Sequence, residues 1–132
     1  MSFIPYKTDS GRVYPLEYLP CSAITPKVGM ALVQSGGNLA IATGANKPSY
    51  ISMADKSEAC AAGDLIPVLR ILPDMIFETS NSAAFTNINK GDKVTLHASD
   101  GMQVTATTSS GVAEVIDFDG TAVGSVVHVR FN

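Results

Sequence analysis

From Val28 to the last residue, turn signals built on glycine, proline and aspartate recur about every eight to twelve residues, which points to short strands rather than long helices. Val28–Gln34 (VGMALVQ) and Asn38–Thr43 (NLAIAT) flank Ser35-Gly36-Gly37, whose glycines accept the positive φ of a tight hairpin. Leu65–Leu72 (LIPVLRIL) is apolar on both faces, which suits a strand covered on both sides. Pro67 inside it has no amide donor and is expected at an edge, a strand start or a bulge. Met75–Thr79 (MIFET) follows the turn at Pro73-Asp74.

The C-terminal half alternates more cleanly. In Lys93–Ala98, Val94, Leu96 and Ala98 face one way and Lys93, Thr95 and His97 the other, the period of two of a half-buried strand. Asp100-Gly101 reverses the chain into Met102–Thr107 and predicts a second hairpin. Val112–Phe118 and Ser125–Phe131 form a third pair around Asp119-Gly120, with Val127, Val129 and Phe131 inward and His128 and Arg130 outward. Ala54–Ala62 (ADKSEACAA) alone reads as helical. Ala62-Gly63-Asp64-Leu65-Ile66 and Lys90-Gly91-Asp92-Lys93-Val94 share a Gly-Asp turn leading into a strand, a faint internal echo. The class these patterns impose is all-β: a small β-barrel or sandwich of short antiparallel strands, with at most one short helix.

The 132 residues suffice for a single domain, which buries roughly two-thirds of its unfolded surface. With 45% apolar and 16% charged residues, the chain is built for a packed core rather than a solvated tail. The net charge is −3 and the basic residues stand singly, as at Lys7, Lys27, Lys47 and Lys56, so no stripe matches a row of phosphates and nucleic acid is not an expected partner. No apolar run reaches the roughly 18 residues that span a bilayer, so no membrane partner is expected either. The opening MSFIPYKTDSGR has neither the basic nor the apolar region of a secretory signal, and synthesis in the cytoplasm is expected. Cys21 and Cys60 are isolated and are read as buried free thiols, with a disulfide between them as the alternative that a reducing cytoplasm disfavours.

Residues 1–25 differ from the β domain expected over 26–132. Pro5, Pro15 and Pro20 interrupt every helix that could form, and the segment is expected to be an extended arm holding three of the four tyrosines. Phe3, Ile4, Tyr6, Tyr14, Leu16 and Tyr18 are its large apolar groups, and they pack either on the chain's own barrel or on a neighbouring subunit. They are the candidate partner-binding residues. Because prolines bar the arm from a central strand, removing residues 1–18 is expected to leave the barrel folded.

Residues with reactive side chains do not assemble into a known pattern. His97 and His128 fall on outward faces with no cysteine or carboxylate at ligand spacing and are read as surface histidines. Asp117 with Asp119, and Asp74 with Glu78, are read as solvated groups at turns and strand ends rather than as a calcium site. Ser109-Ser110-Gly111 is a turn, not a nucleophile elbow, and no glycine motif cradles a phosphate. No catalytic residue, metal or cofactor is expected, and the chain is not read as an enzyme.

Taken in order, Pro26-Lys27-Val28-Gly29-Met30-Ala31-Leu32, Leu39-Ala40-Ile41-Ala42, Gly63-Asp64-Leu65-Ile66-Pro67-Val68, Lys90-Gly91-Asp92-Lys93-Val94, Gly111-Val112-Ala113-Glu114-Val115 and Val127-His128-Val129-Arg130-Phe131 resemble a tailed-bacteriophage capsid decoration protein of the small β-barrel type. The resemblance implies a virion structural protein that binds the outer surface of an assembled capsid and bridges its subunits. Its partners would be the major capsid protein and itself, as a homotrimer, and its location the virion surface after synthesis in the bacterial host. The proline-spaced N-terminus departs from that pattern. The alternative is a glycan-binding or adhesive β module displayed on a particle or cell, which the lack of Trp and the single tyrosine outside the arm, Tyr50, disfavour. A co-chaperonin-like barrel, prompted by Lys90–Val94 and the Asp100-Gly101 turn, lacks that family's mobile-loop and N-terminal strand features.

Overall fold

The computed structural model describes residues 2–11 and 15–132, so Tyr14 lies outside the described residues. Among the described residues ten strands follow in chain order: β1 Ile4–Thr8, β2 Glu17–Pro20, β3 Ala31–Ser35, β4 Asn38–Ile41, β5 Tyr50–Ser52, β6 Leu65–Arg70, β7 Met75–Ser80, β8 Lys93–Val94, β9 Ala113–Phe118 and β10 Val126–Phe131. They form two five-stranded antiparallel sheets, ordered β1-β7-β10-β9-β8 and β2-β6-β5-β3-β4. The architecture is a sandwich and not a closed barrel. The edges of the second sheet approach each other at one parallel bridge, Cys21 with Leu39, which curls that sheet without closing it.

The curl divides the core in two. Between the sheets lie Phe3, Ala31, Ile51, Leu69, Phe77, Val115, Val127, Val129 and Phe131. Inside the curl of the second sheet lie Cys21, Leu32, Leu39, Tyr50, Cys60, Ile66 and Val68. The second sheet is therefore covered on both faces, which is why LIPVLRIL carries no polar alternation.

The β3–β4 hairpin turns on Gly36 and Gly37, both at positive φ (61° and 86°), as its two-residue loop requires. The Gly-Asp echo is a repeated piece of structure. Asp64 Oδ2 accepts the N–H of Ala61, and Asp92 Oδ2 accepts the N–H of Asn89, across the same four-residue turn. In each, the glycine N–H bonds one residue of a paired segment, Cys21 or Val115, whose own N–H returns to the aspartate carbonyl. The second predicted hairpin keeps its cross-strand bonds, Thr105 N–H to Thr95 O and His97 N–H to Gln103 O, both 2.9 Å. Only Lys93–Val94 remains regular strand there. Leu96 turns its amide to Gly44 O and Val104 to Ser80 O, so the hairpin is shared between neighbours.

Three expectations are corrected. No helix occurs among the described residues. Ala54–Ala62 crosses the open side of the curl, its amides bonding outward, Lys56 to Pro26 O and Cys60 to Ile24 O, instead of to carbonyls four residues back. Pro67 sits inside β6, between β2 and β5, rather than at an edge. Its carbonyl accepts the Met53 N–H just past the end of β5, so its missing donor faces the place where that neighbour stops. Finally, the arm belongs to the folded unit. β1 pairs with β7 and β2 with β6, giving each sheet an edge strand, and Phe3 is fully buried between the sheets. Removing residues 1–18 would take away β1, the first half of β2 and a core aromatic, so the deletion is expected to destabilise the fold. An edge strand needs only one row of ladder bonds, so prolines that disfavour the middle of a sheet are accommodated there, whereas Pro67 is tolerated inside β6 because it faces the point where β5 stops.

Candidate functional site

The candidate partner-binding residues separate by where their strands put them. Phe3 packs edge-to-face on Phe131, ring centroids 5.2 Å apart, and is a core residue. Ile4, Tyr6, Leu16 and Tyr18 are exposed. The structure does not bring these four into one patch, because β1 and β2 belong to different sheets.

On the second sheet, register builds an apolar surface. Tyr18 stands opposite Pro67 and Pro20 opposite Leu65, so these four share a face, while Leu19, Ile66 and Val68 turn into the curl. Tyr18 and Leu65 are each 63% exposed, well above what a packed strand pair leaves open. The first sheet covers Leu69 farther along β6 but not this end. At the far end of the pair, Arg70 grips Glu17 through both carboxylate oxygens at 2.7 and 2.8 Å and lies over the Tyr50 ring. The Arg70 hydrogen bond holds the Glu17 carboxyl below its ordinary range. Leu65 escaped the sequence reading because its place beside Tyr18 depends on a strand pairing across more than forty residues. Tyr50, by contrast, is buried.

The outer face of the first sheet carries a second constellation. His128 on β10 presents Nδ1 to Asp117 Oδ1 on β9 at 2.5 Å and Nε2 to Glu78 Oε2 on β7 at 2.9 Å. Tyr6 on β1 stacks on its ring, centroids 4.0 Å apart and planes 18° from parallel. Two β-bulges make this arrangement. In the β9–β10 pair Val115 opposes Val129 and Asp117 opposes His128, so Ile116 is the extra residue and a carboxylate takes the place it would have held. In the β1–β7 pair Pro5 opposes Phe77 and Lys7 opposes Ile76, so Tyr6 is extra and swings out over the imidazole. The His128 side chain is only 15% exposed, which corrects its reading as an ordinary surface histidine.

Both imidazole nitrogens are engaged and the two carboxylates lie on opposite sides of the ring, so the group offers neither a free base nor a shared metal position. Among the described residues no three His, Cys, Asp or Glu side chains converge as ligands of one ion. Asp74 accepts the Ser10 hydroxyl, tying the segment after β1 to the turn before β7, and Asp119 accepts the Val126 N–H across the β9–β10 connection. His97 lies beside Asp100 in the hairpin tip. The chain matches no family model, no curated protein and no solved structure. The chemistry of the two surfaces is thus the basis for a functional reading. One is an apolar patch suited to a protein partner, the other a polar clasp on an edge strand.

Proposed function

We propose that this chain is a virion structural protein, a capsid decoration protein that binds the outside of an assembled phage capsid and stabilises it by bridging capsid subunits. The observation that carries the reading is the Tyr18–Leu65 patch, completed by Pro20 and Pro67, on the edge of the second sheet. Exposed aromatic and aliphatic anchors on a rigid sheet lose little conformational entropy when a partner covers them. The ordered motifs from Pro26 to Phe131 support the same reading. A homotrimer suits it, since three modest patches engaged at once hold a shell more firmly than one. The burial of Tyr50 removes the one tyrosine outside the arm as a platform for stacking a sugar ring.

The test is co-sedimentation with capsids stripped of decoration protein. Tyr18→Ala and Leu65→Ser should stay folded by circular dichroism and bind at least about thirtyfold more weakly, the loss of a hot-spot anchor of about 2 kcal/mol. Light scattering of the free protein should give three times the mass of one chain. Full-strength binding by both variants would overturn the patch as the docking surface, and no capsid binding by the wild type would overturn the function itself.

A further inference from the structure

The two bulges around His128 do something that sheet pairing alone does not need. Each breaks a regular ladder, at a cost in hydrogen bonding, and each aims one side chain at the same ring. The ring then joins four strands, β1 through Tyr6, β7 through Glu78, β9 through Asp117 and its own β10. We propose that His128 is a pH-operated latch for the N-terminal edge strand: the protonated imidazole clamps Tyr6 to the sheet, and the neutral imidazole releases it.

The chemistry follows from counting donors. An imidazolium has two N–H groups, and each meets a carboxylate oxygen here. It also faces the Tyr6 ring as a cation over a π surface. A neutral imidazole has one N–H, so at one end an acceptor nitrogen confronts an acceptor oxygen at hydrogen-bond distance. That contact must open. With the charge gone the stack on Tyr6 loses its electrostatic part as well.

The other charged groups on this face are already committed or lie beyond the ring. Arg130, next outward on β10, binds Asp9 beyond the end of β1 at 2.5 Å. Glu114 on β9 accepts the Asn132 side-chain amide. Lys7 on β1 is exposed. Glu78 and Asp117 are therefore the charges that decide the state of His128. Burial of the ring is the largest single influence and opposes its charge. The hydrogen bonds to Glu78 and Asp117, with the attraction of both carboxylates, outweigh it and raise the His128 pKa above the ordinary value. A raised value means that the latch is fully closed below the ordinary histidine pKa of about 6.5 and opens as pH climbs through the higher folded-state value.

The opening is local. Phe3 stays anchored in the core, with its N–H on Gly29 O, and Asp9 keeps Arg130, so the released piece is the bulge between them. The inference stands apart from the capsid reading, since it concerns how β1 is held and not what the chain binds.

NMR on the full chain tests it. The His128 ring signals are followed from about pH 6 to about pH 9, together with exchange protection of the Tyr6, Lys7 and Thr8 amides corrected for base catalysis. His128 should titrate above the ordinary value. Protection in β1 should fall with the same midpoint, by about tenfold for each pKa unit separating the closed and open states, while β10 stays protected. Asp117→Asn should lower that midpoint, and His128→Gln should leave β1 weakly protected at every pH with no midpoint. Should His128→Gln fail to fold, the wild-type titration decides alone. A His128 that titrates at or below its ordinary value, or β1 protection that ignores its titration, overturns the latch.

Discussion

Replacing Phe3 by alanine separates a core residue from an arm residue. The side chain is fully buried, lies edge-to-face on Phe131 at 5.2 Å, and its backbone is tied to Gly29 O at 2.8 Å. Truncating a buried phenylalanine costs about 3–5 kcal/mol from lost burial plus the cavity left behind. Phe3 lies just before an edge strand that has solvent on one side, so the site can partly collapse and the lower end, about 3 kcal/mol, applies. Unfolding entropy of roughly 2.1 cal/mol/K per residue gives about 0.28 kcal/mol/K for 132 residues. The midpoint should therefore fall by roughly 11 °C. Thermal unfolding followed by calorimetry and near-ultraviolet circular dichroism measures it, with Tyr18→Ala as the control. Tyr18 is 63% exposed, and its truncation should change stability by no more than about 0.5 kcal/mol, or roughly 2 °C. Equal midpoints for Phe3→Ala and Tyr18→Ala would refute the assignment of Phe3 to the core and restore the arm as a separable element.

Two other positions give independent checks. Gly111→Ala should lower stability by about 1–3 kcal/mol, measured by urea unfolding, because the new Cβ falls on the Lys93 carbonyl and 2.8 Å from Val94 N, backbone atoms that cannot rotate away. A neutral effect would mean that β8 does not pass against Gly111. Burial, reinforced by the neighbouring Cys60, pushes the Cys21 thiol up to about 11, so a thiol reagent near neutral pH should leave it unmodified in the folded protein and label it once denaturant is added. Rapid labelling of the native chain would show that the curled core is open.

Much of this architecture can be read locally. Two adjacent glycines at 36 and 37 specify a two-residue hairpin whatever surrounds them, since only such residues take two positive φ angles in succession without strain. Alternation in Val126–Phe131 assigns Val127, Val129 and Phe131 to the core and His128 and Arg130 to the outer face, and the double-sided apolar run of Leu65–Leu72 announces a sheet covered twice. The repeated Gly-Asp turn carries its own hydrogen bonds in four residues. The arm and the candidate surfaces were less legible. Prolines show where a segment cannot go, yet not that its edges would complete two different sheets and send Phe3 inward. Ala54–Ala62 has the composition of a helix, but the amides of Lys56 and Cys60 bond the carbonyls of Pro26 and Ile24 instead.

What the sequence by itself determined is which face the side chains of the regularly alternating strands take, because that depends on the backbone alternation of each strand. What only the tertiary structure decided is who its neighbours are. Leu65 meets the β2 edge, and Asp117 rather than Ile116 meets His128, because strand register is settled between distant segments, and a bulge of one residue exchanges a hydrocarbon for a carboxylate beside the imidazole.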